Sequence, residues 1–288
     1  MNSFIFIVVI ISVFVFFIAP YLFLNMHVHP PLLKNMFTPA DFGLKYDDIS
    51  VVTEDKIDLK GWYIPSVDHK STVLVCHGVA ANRSDVMQVT LLFNSNGYDV
   101  YTFDFRGHGE TKKGKVTYGY DERKDIKAIV DYLKSKNIDK IGVYGLSMGA
   151  SIVMLSLPEN PELKVAVIDS GFVSVEKIAK YRIGMVFPEP IKSLLFNITN
   201  FYAKVFYGVS LYDITPIKAV EKVHIPILFV IGDVDSNITP DNGRMLFDKA
   251  NDPKELLVIE GANHTQTINS PLFKQSVIDF MNKYLLNE

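Results

Sequence analysis

The stretch KIGVYGLSMGASIVM, residues 140–154, passes from a β-branched apolar run through Gly-x-Ser-x-Gly into small apolar residues. If KIGVY is a buried strand and MGASIVM a helix, the chain must turn abruptly within the three residues between them. The apex residue, Ser147, is then held in strained backbone geometry, and Gly145 and Gly149 on either side let neighbouring chain approach closely. Its side chain points into open space at a helix N-terminus, where unpaired N–H groups and the helix dipole favour a developing negative charge. A pentapeptide with two fixed glycines also fits an ordinary turn. Context decides whether Ser147 is a nucleophile or a polar turn residue.

Working outward, apolar and β-branched runs at 48–53, 57–64, 72–76, 99–105, 141–144, 165–168, 227–231 and 255–259 read as strands. Helical patterns fall at 85–94, 118–134, 148–155, 241–249 and 271–286. The first strands form a hairpin-like pair and the later ones β-α-β units. This predicts an α/β fold with a mostly parallel sheet and helices on both faces. Several strands are continuous apolar runs, as burial on two sides requires. In such sheets the site lies at the carboxyl ends of the strands.

Those ends carry a chemical set. His77-Gly78-Val79 follows TVLVC, Ser147 follows IGVY, Asp233-Val-Asp235 follows PILFVIG, and Ala262-Asn263-His264 follows ELLVIEG. A serine needs a base, an imidazole serves near neutral pH, and a carboxylate fixes its tautomer. The order Ser, Asp, His suits hydrolases of this architecture. The Val79 and Met148 N–H groups are the natural pair of oxyanion donors.

Through LKGWYIP (59–65), VCHGVAANR (75–83), FDFRGHGET (103–111), GLSMG (145–149), GDVDSNITP (232–240) and GANH (261–264), the chain resembles the α/β-hydrolase superfamily. Within it, the resemblance is to bacterial-type serine hydrolases grouped with Bem46-like and serine-aminopeptidase-like proteins, and it covers roughly residue 46 to the C-terminus. It implies an α/β-hydrolase fold, with Ser147 as nucleophile, Asp235 as acid, His264 as base, and Val79 and Met148 at the oxyanion. It also implies a small helical cap at about 173–212, rich in residues such as Ile183, Phe187, Leu194, Phe201 and Phe206. A proline is expected about four residues after the acid, whereas Pro240 follows Asp235 by five, which leaves Asp233 as an alternative. Asp169 is a second one. His77 and His108 read as organisers of their loops, Asp104 and Arg106 as an ion pair or turn network below the site, and Trp62 as packing.

The expected activity is hydrolysis of carboxylic esters or thioesters through an acyl-enzyme, on small or lipid-like substrates with an apolar acyl group. The alternatives are an aminopeptidase-like amidase and a silent binding module that kept the fold. No metal or organic cofactor is called for. The stretch Gly109–Lys115 fits G-x-x-x-x-G-K, but Val116 stands where a phosphate loop needs Ser or Thr, and no helix follows directly.

Composition sets the remaining bounds. The 288 residues are 48% hydrophobic with a net charge of −3, and no basic block suggests nucleic acid. The single cysteine, Cys76, forms no internal disulfide. Residues 4–24 run without a charge, long enough for a helix to cross a hydrocarbon layer of ~30 Å. A secretory signal is the rival reading, but no Lys or Arg precedes the run and no small-x-small cleavage site follows it. The expected organisation is a transmembrane anchor at 1–26, a connector at 27–45 and a hydrolase domain at 46–288. The flanking charges, the terminal amine on one side and Lys34 and Lys45 on the other, leave the membrane side open. His27 and His29 read as interfacial polar residues. A chain deleted to about Asn25 is expected to remain active.

Overall fold

The structure, a computed structural model, describes residues 2–286. Eight strands form one sheet in the order β1-β2-β4-β3-β5-β6-β7-β8. They are β1 (Asp47–Val52), β2 (Asp58–Ile64), β3 (Thr72–Cys76), β4 (Asp99–Phe103), β5 (Ile141–Leu146), β6 (Leu163–Asp169), β7 (Ile227–Gly232) and β8 (Lys254–Ile259). β1 pairs with β2 and β2 with β4 antiparallel; every other pair is parallel. This is the α/β-hydrolase architecture. All five residues of β3 and of β4, and all six of β7, are buried, which accounts for the apolar runs VLVC in β3 and ILFVI in β7.

The helices are α1 (Ser3–Val28), α2 (Met87–Ser95), α3 (Glu122–Ser135), α4 (Met148–Ser156), α5 (Val175–Gly184), α6 (Ile191–Tyr202), α7 (Pro216–Val220), α8 (Pro240–Lys249) and α9 (Pro271–Met281). Alternate residues along the strands feed two cores. Leu74, Cys76 and Val143 pack with Ile126 and Ile129 of α3, Ile152 of α4 and Leu246 of α8. Val73, Val75 and Tyr144 pack with Phe93 of α2 and Phe273 and Val277 of α9 on the opposite face.

A third cluster lies outside the sheet. Leu24 and Val28 of α1 are buried against Phe196 of α6 and against Ala203, Val209 and Leu211, all in the chain between β6 and β7. The amino-terminal part of α1 stands largely free: its most apolar window is 6% buried, with a mean hydropathy of 2.9. At ~1.5 Å per residue its 26 residues span about 39 Å, enough to cross a hydrocarbon layer.

Candidate active site

Ser147 sits at the apex between β5 and α4, with φ 56° and ψ −114°. That is a left-handed φ for a residue with a side chain, and strain of this kind survives only where surrounding packing fixes it. Two close approaches do so. A Cβ on Gly145 would lie 2.6 Å from the Ala150 Cα, and one on Gly149 2.5 Å from the His77 carbonyl oxygen. The Ser147 N–H donates to the Asp169 carbonyl at the end of β6, at 2.8 Å. The turn is thereby tied to the neighbouring strand.

The loops after β7 and β8 bring two further groups to Ser147. His264 Nε2 lies 3.0 Å from Ser147 Oγ, and His264 Nδ1 lies 2.7 Å from Asp235 Oδ2. The second oxygen of Asp235 accepts the N–H groups of Asn237 at 2.8 Å and Ile238 at 2.9 Å. Burial pushes the Asp235 carboxyl upward, but the hydrogen bonds from His264 and the two amides outweigh it and hold it below the usual carboxylate value. An ionised carboxylate at Nδ1 keeps the imidazole proton there. Nε2 is then free to accept from the serine hydroxyl.

The other acids have different employment. Asp233 is exposed and accepts the Gly261 N–H at 2.7 Å, closing one loop on the other. Asp169 is buried and accepts from the Thr267 hydroxyl at 2.7 Å and the Tyr144 hydroxyl at 2.8 Å. Burial raises its pKa to about 6 despite these bonds. His77 and His108 are both buried and pinned to backbone. Phe105 N–H donates to His77 Nε2 at 3.0 Å, and Ala80 N–H to His108 Nε2 at 3.2 Å. Burial lowers their pKa values to about 4 and about 3, so both are neutral organisers of loops.

The ion-pair expectation needs a correction. Asp104 pairs with Arg83, whose guanidinium stacks 4.2 Å over buried Trp62, and not with Arg106. Arg106 instead binds Asp125 at 2.7 Å and Asp55 at 2.7 Å. Trp62 also donates to Asp48 at 3.0 Å. The Gly109–Lys115 loop folds around these side chains: a Cβ on Gly109 would meet the Asp104 carboxylate at 2.3 Å. Its glycines admit protein atoms where a phosphate loop would admit a ligand.

Val79 and Met148 both border space beside Ser147, and Met148 opens α4, where no helical carbonyl is available to its N–H. Two cavities meet here. One, of about 280 Å³, is mainly apolar, with Arg182, His27, Thr117 and Thr199 among its lining; the other, of about 640 Å³, includes His264, Gln266, Asn237 and Asp169. Val79, Ser147, Arg182 and Ile238 line both.

The apolar cavity departs from the sequence reading. From the β6–β7 connection it takes Val175, Ile178, Ala179 and Tyr207, whereas Phe201, Val205 and Phe206 face outward, 53–59% exposed. A further wall is the carboxyl end of α1 with the residues just after it, among them Leu24, His27, Val28 and Pro30. Sequence reasoning missed these residues. The signal was present in the polar Asn25, His27 and His29, which interrupt the apolar run where lipid would not welcome them.

Comparison with known proteins adds relatives. Residues 67–207 match the family model described as serine aminopeptidase, S33 (Hydrolase_4). The chain is 28% identical to YqkD of Bacillus subtilis (strain 168) over 232 residues, 78% of this chain and 75% of that protein. It is 24% identical over 257 residues to bem46 of Schizosaccharomyces pombe, 86% of this chain and 80% of the relative. Among solved structures, the Pyrococcus furiosus esterase Pf2001 superposes with a TM-score of 0.75 at 26% identity, covering 90% of this chain and all (100%) of the esterase.

Proposed function

The chain is a Bem46-like α/β-hydrolase, and from that premise we propose that it is a serine hydrolase cleaving carboxylic esters or thioesters through an acyl-enzyme. The observation that carries the reading is the unbroken hydrogen-bonded line from Asp235 through His264 to a strained, apical Ser147. In this reading Ser147 Oγ attacks the acyl carbon while its proton passes to His264 Nε2. The carbonyl oxygen takes up the negative charge and is held by the N–H groups of Val79 and Met148. The imidazolium, stabilised by Asp235, gives its proton to the leaving oxygen or sulfur as that bond breaks. Water then repeats the attack on the acyl-enzyme, with His264 again taking and returning the proton.

Placement of the two cavities supports an ester with unlike halves. His264 borders the polar one, so the leaving group belongs there and the acyl chain in the apolar one. An esterase among the solved structures of similar fold agrees with this. The family description as an aminopeptidase is the observation that favours an amidase as second reading. We take residues 1–26 as a single-pass membrane anchor, 46–288 as the hydrolase domain and about 173–212 as its cap. Replacing Ser147 by Ala is expected to lower ester hydrolysis by roughly 10⁴-fold or more, because such groups act as a unit. Wild-type turnover retained in that variant would refute the nucleophile. Faster cleavage of amino-acyl amides than of any ester by the unaltered protein would promote the amidase.

A further inference from the structure

We propose that the carboxyl end of α1 is a wall of the acyl pocket, so that the membrane helix both holds the protein and selects its substrate, an amphiphilic lipid ester drawn from the bilayer. The proposal rests on the serine-hydrolase reading above and adds the substrate class. Its first support is position: Leu24, His27, Val28 and Pro30 border the same apolar cavity as Ser147 and Met148.

The second support is rigidity, since a wall has to stay in place. The Val28 carbonyl accepts the Val116 N–H at 3.0 Å, and Asn25 accepts the Tyr207 hydroxyl at 3.0 Å. Tyr21 meets the rings of Tyr202 and Phe206 edge-on at 5.9 and 5.5 Å. The chain beyond α1 is fastened as well. Buried Asn82 donates to the Leu33 and Lys34 carbonyls, each at 3.2 Å, and Ser84 accepts the Met36 N–H at 3.0 Å. Asn82 and Ser84 lie on the loop that carries Val79, so helix end and oxyanion loop are bound to one another.

The third support is the surface around the helix. Phe201 is 59% exposed, Val205 58% and Phe206 53%, beside the point where the free apolar part of α1 leaves the body. Exposed apolar groups of this size next to a membrane helix belong at the level of the lipid interface. Met26 of α1 borders the apolar cavity and is itself 61% exposed, so in this proposal the cavity reaches the surface where α1 leaves the body, at the level of the bilayer. An acyl chain can then pass from lipid to Ser147 along α1 without crossing water, while the polar end of the ester occupies the cavity that His264 borders.

The test uses the full-length protein in phosphatidylcholine vesicles and a phosphonofluoridate whose phosphorus-bound decyl chain ends in a diazirine. Ser147 Oγ forms a bond to phosphorus, the P–F bond breaks, fluoride leaves, and the hydroxyl proton goes to His264. Irradiation then links the chain end to whatever it touches, and peptide mass spectrometry locates it. The expected adduct joins Ser147 to residues 23–31. Adducts confined to residues 85–89 or 265–269, which border the polar cavity, overturn the proposal, as does a tail that links only to lipid or solvent. Absence of label at Ser147 is a different result. It removes the nucleophile itself, and the proposal falls with it.

Discussion

At His264 the two ring nitrogens face chemically different partners, a buried carboxylate at 2.7 Å and a hydroxyl at 3.0 Å. That asymmetry sets the tautomer and separates Asp235 from the two acids that compete with it on paper. Asp233 is spent on the Gly261 amide and Asp169 on the hydroxyls of Tyr144, Ser170 and Thr267. Asp235→Asn is therefore expected to lower kcat for an ester by about 10⁴-fold, since the amide favours the wrong tautomer, whereas Asp233→Asn stays within about tenfold of wild type. Steady-state kinetics on the two purified variants decide it, and a larger loss in Asp233→Asn would move the acid. The serine, the histidine and the choice of three aspartates were legible in the sequence, because each follows an apolar strand. Strand ends alone did not say which aspartate reaches the imidazole, since two residues of loop reverse the direction in which a side chain points; the family resemblance pointed to Asp235, the one that lies at His264 Nδ1.

Between elements, Asp169 at the end of β6 ties Tyr144 of β5 to Thr267, just beyond His264. Its pKa is raised by burial to about 6, so the folded state holds this proton at pH values where the unfolded chain, with a carboxyl near 3.8, has lost it. A raised acid stabilises relative to its charged form below the unfolded value, and that contribution is lost as pH rises from about 4 through about 6. Asp169→Asn removes this titration. Relative to wild type the variant is expected to gain stability between pH 4 and pH 7.5, on the order of 3 kcal/mol for a shift of this size. Denaturant midpoints at the two pH values provide the check; a constant difference would show that Asp169 titrates as in the unfolded chain.

The element boundaries carry the same kind of lesson. The third helix starts at Glu122 and not at the periodic Tyr118, because the Glu122 carboxylate accepts the Thr117 N–H at 2.7 Å and the Gly119 N–H at 2.8 Å and holds that stretch as a turn.

For the whole molecule, α1 changes an expectation. The sequence predicts that a chain deleted to about Asn25 remains active, since the chemical groups begin at His77. The structure gives that deletion a cost, because Leu24 belongs both to the buried cluster with Phe196 and to the cavity wall. Burial of such a side chain contributes about 1.5–3 kcal/mol, so the truncated protein is expected to melt at lower temperature. Its ratio of kcat/KM for p-nitrophenyl octanoate over acetate is expected to fall at least tenfold, at roughly fourfold per methylene left without a wall. An unchanged ratio would mean that the helix holds the protein and nothing more.

The sequence by itself determined the parallel sheet, the elbow at Ser147 and the strand ends that carry the chemical groups. These follow from local signals, namely two-sided apolar runs, paired glycines and the order of residues at strand termini. Only the tertiary structure decided that Arg83 and not Arg106 neutralises Asp104, and that the apolar cavity beside Ser147 is bordered by the end of a helix more than a hundred residues earlier in the chain. Contacts of that kind are chosen by shape and by the pairing of buried polar groups across the fold, and neither leaves a periodic trace in the sequence.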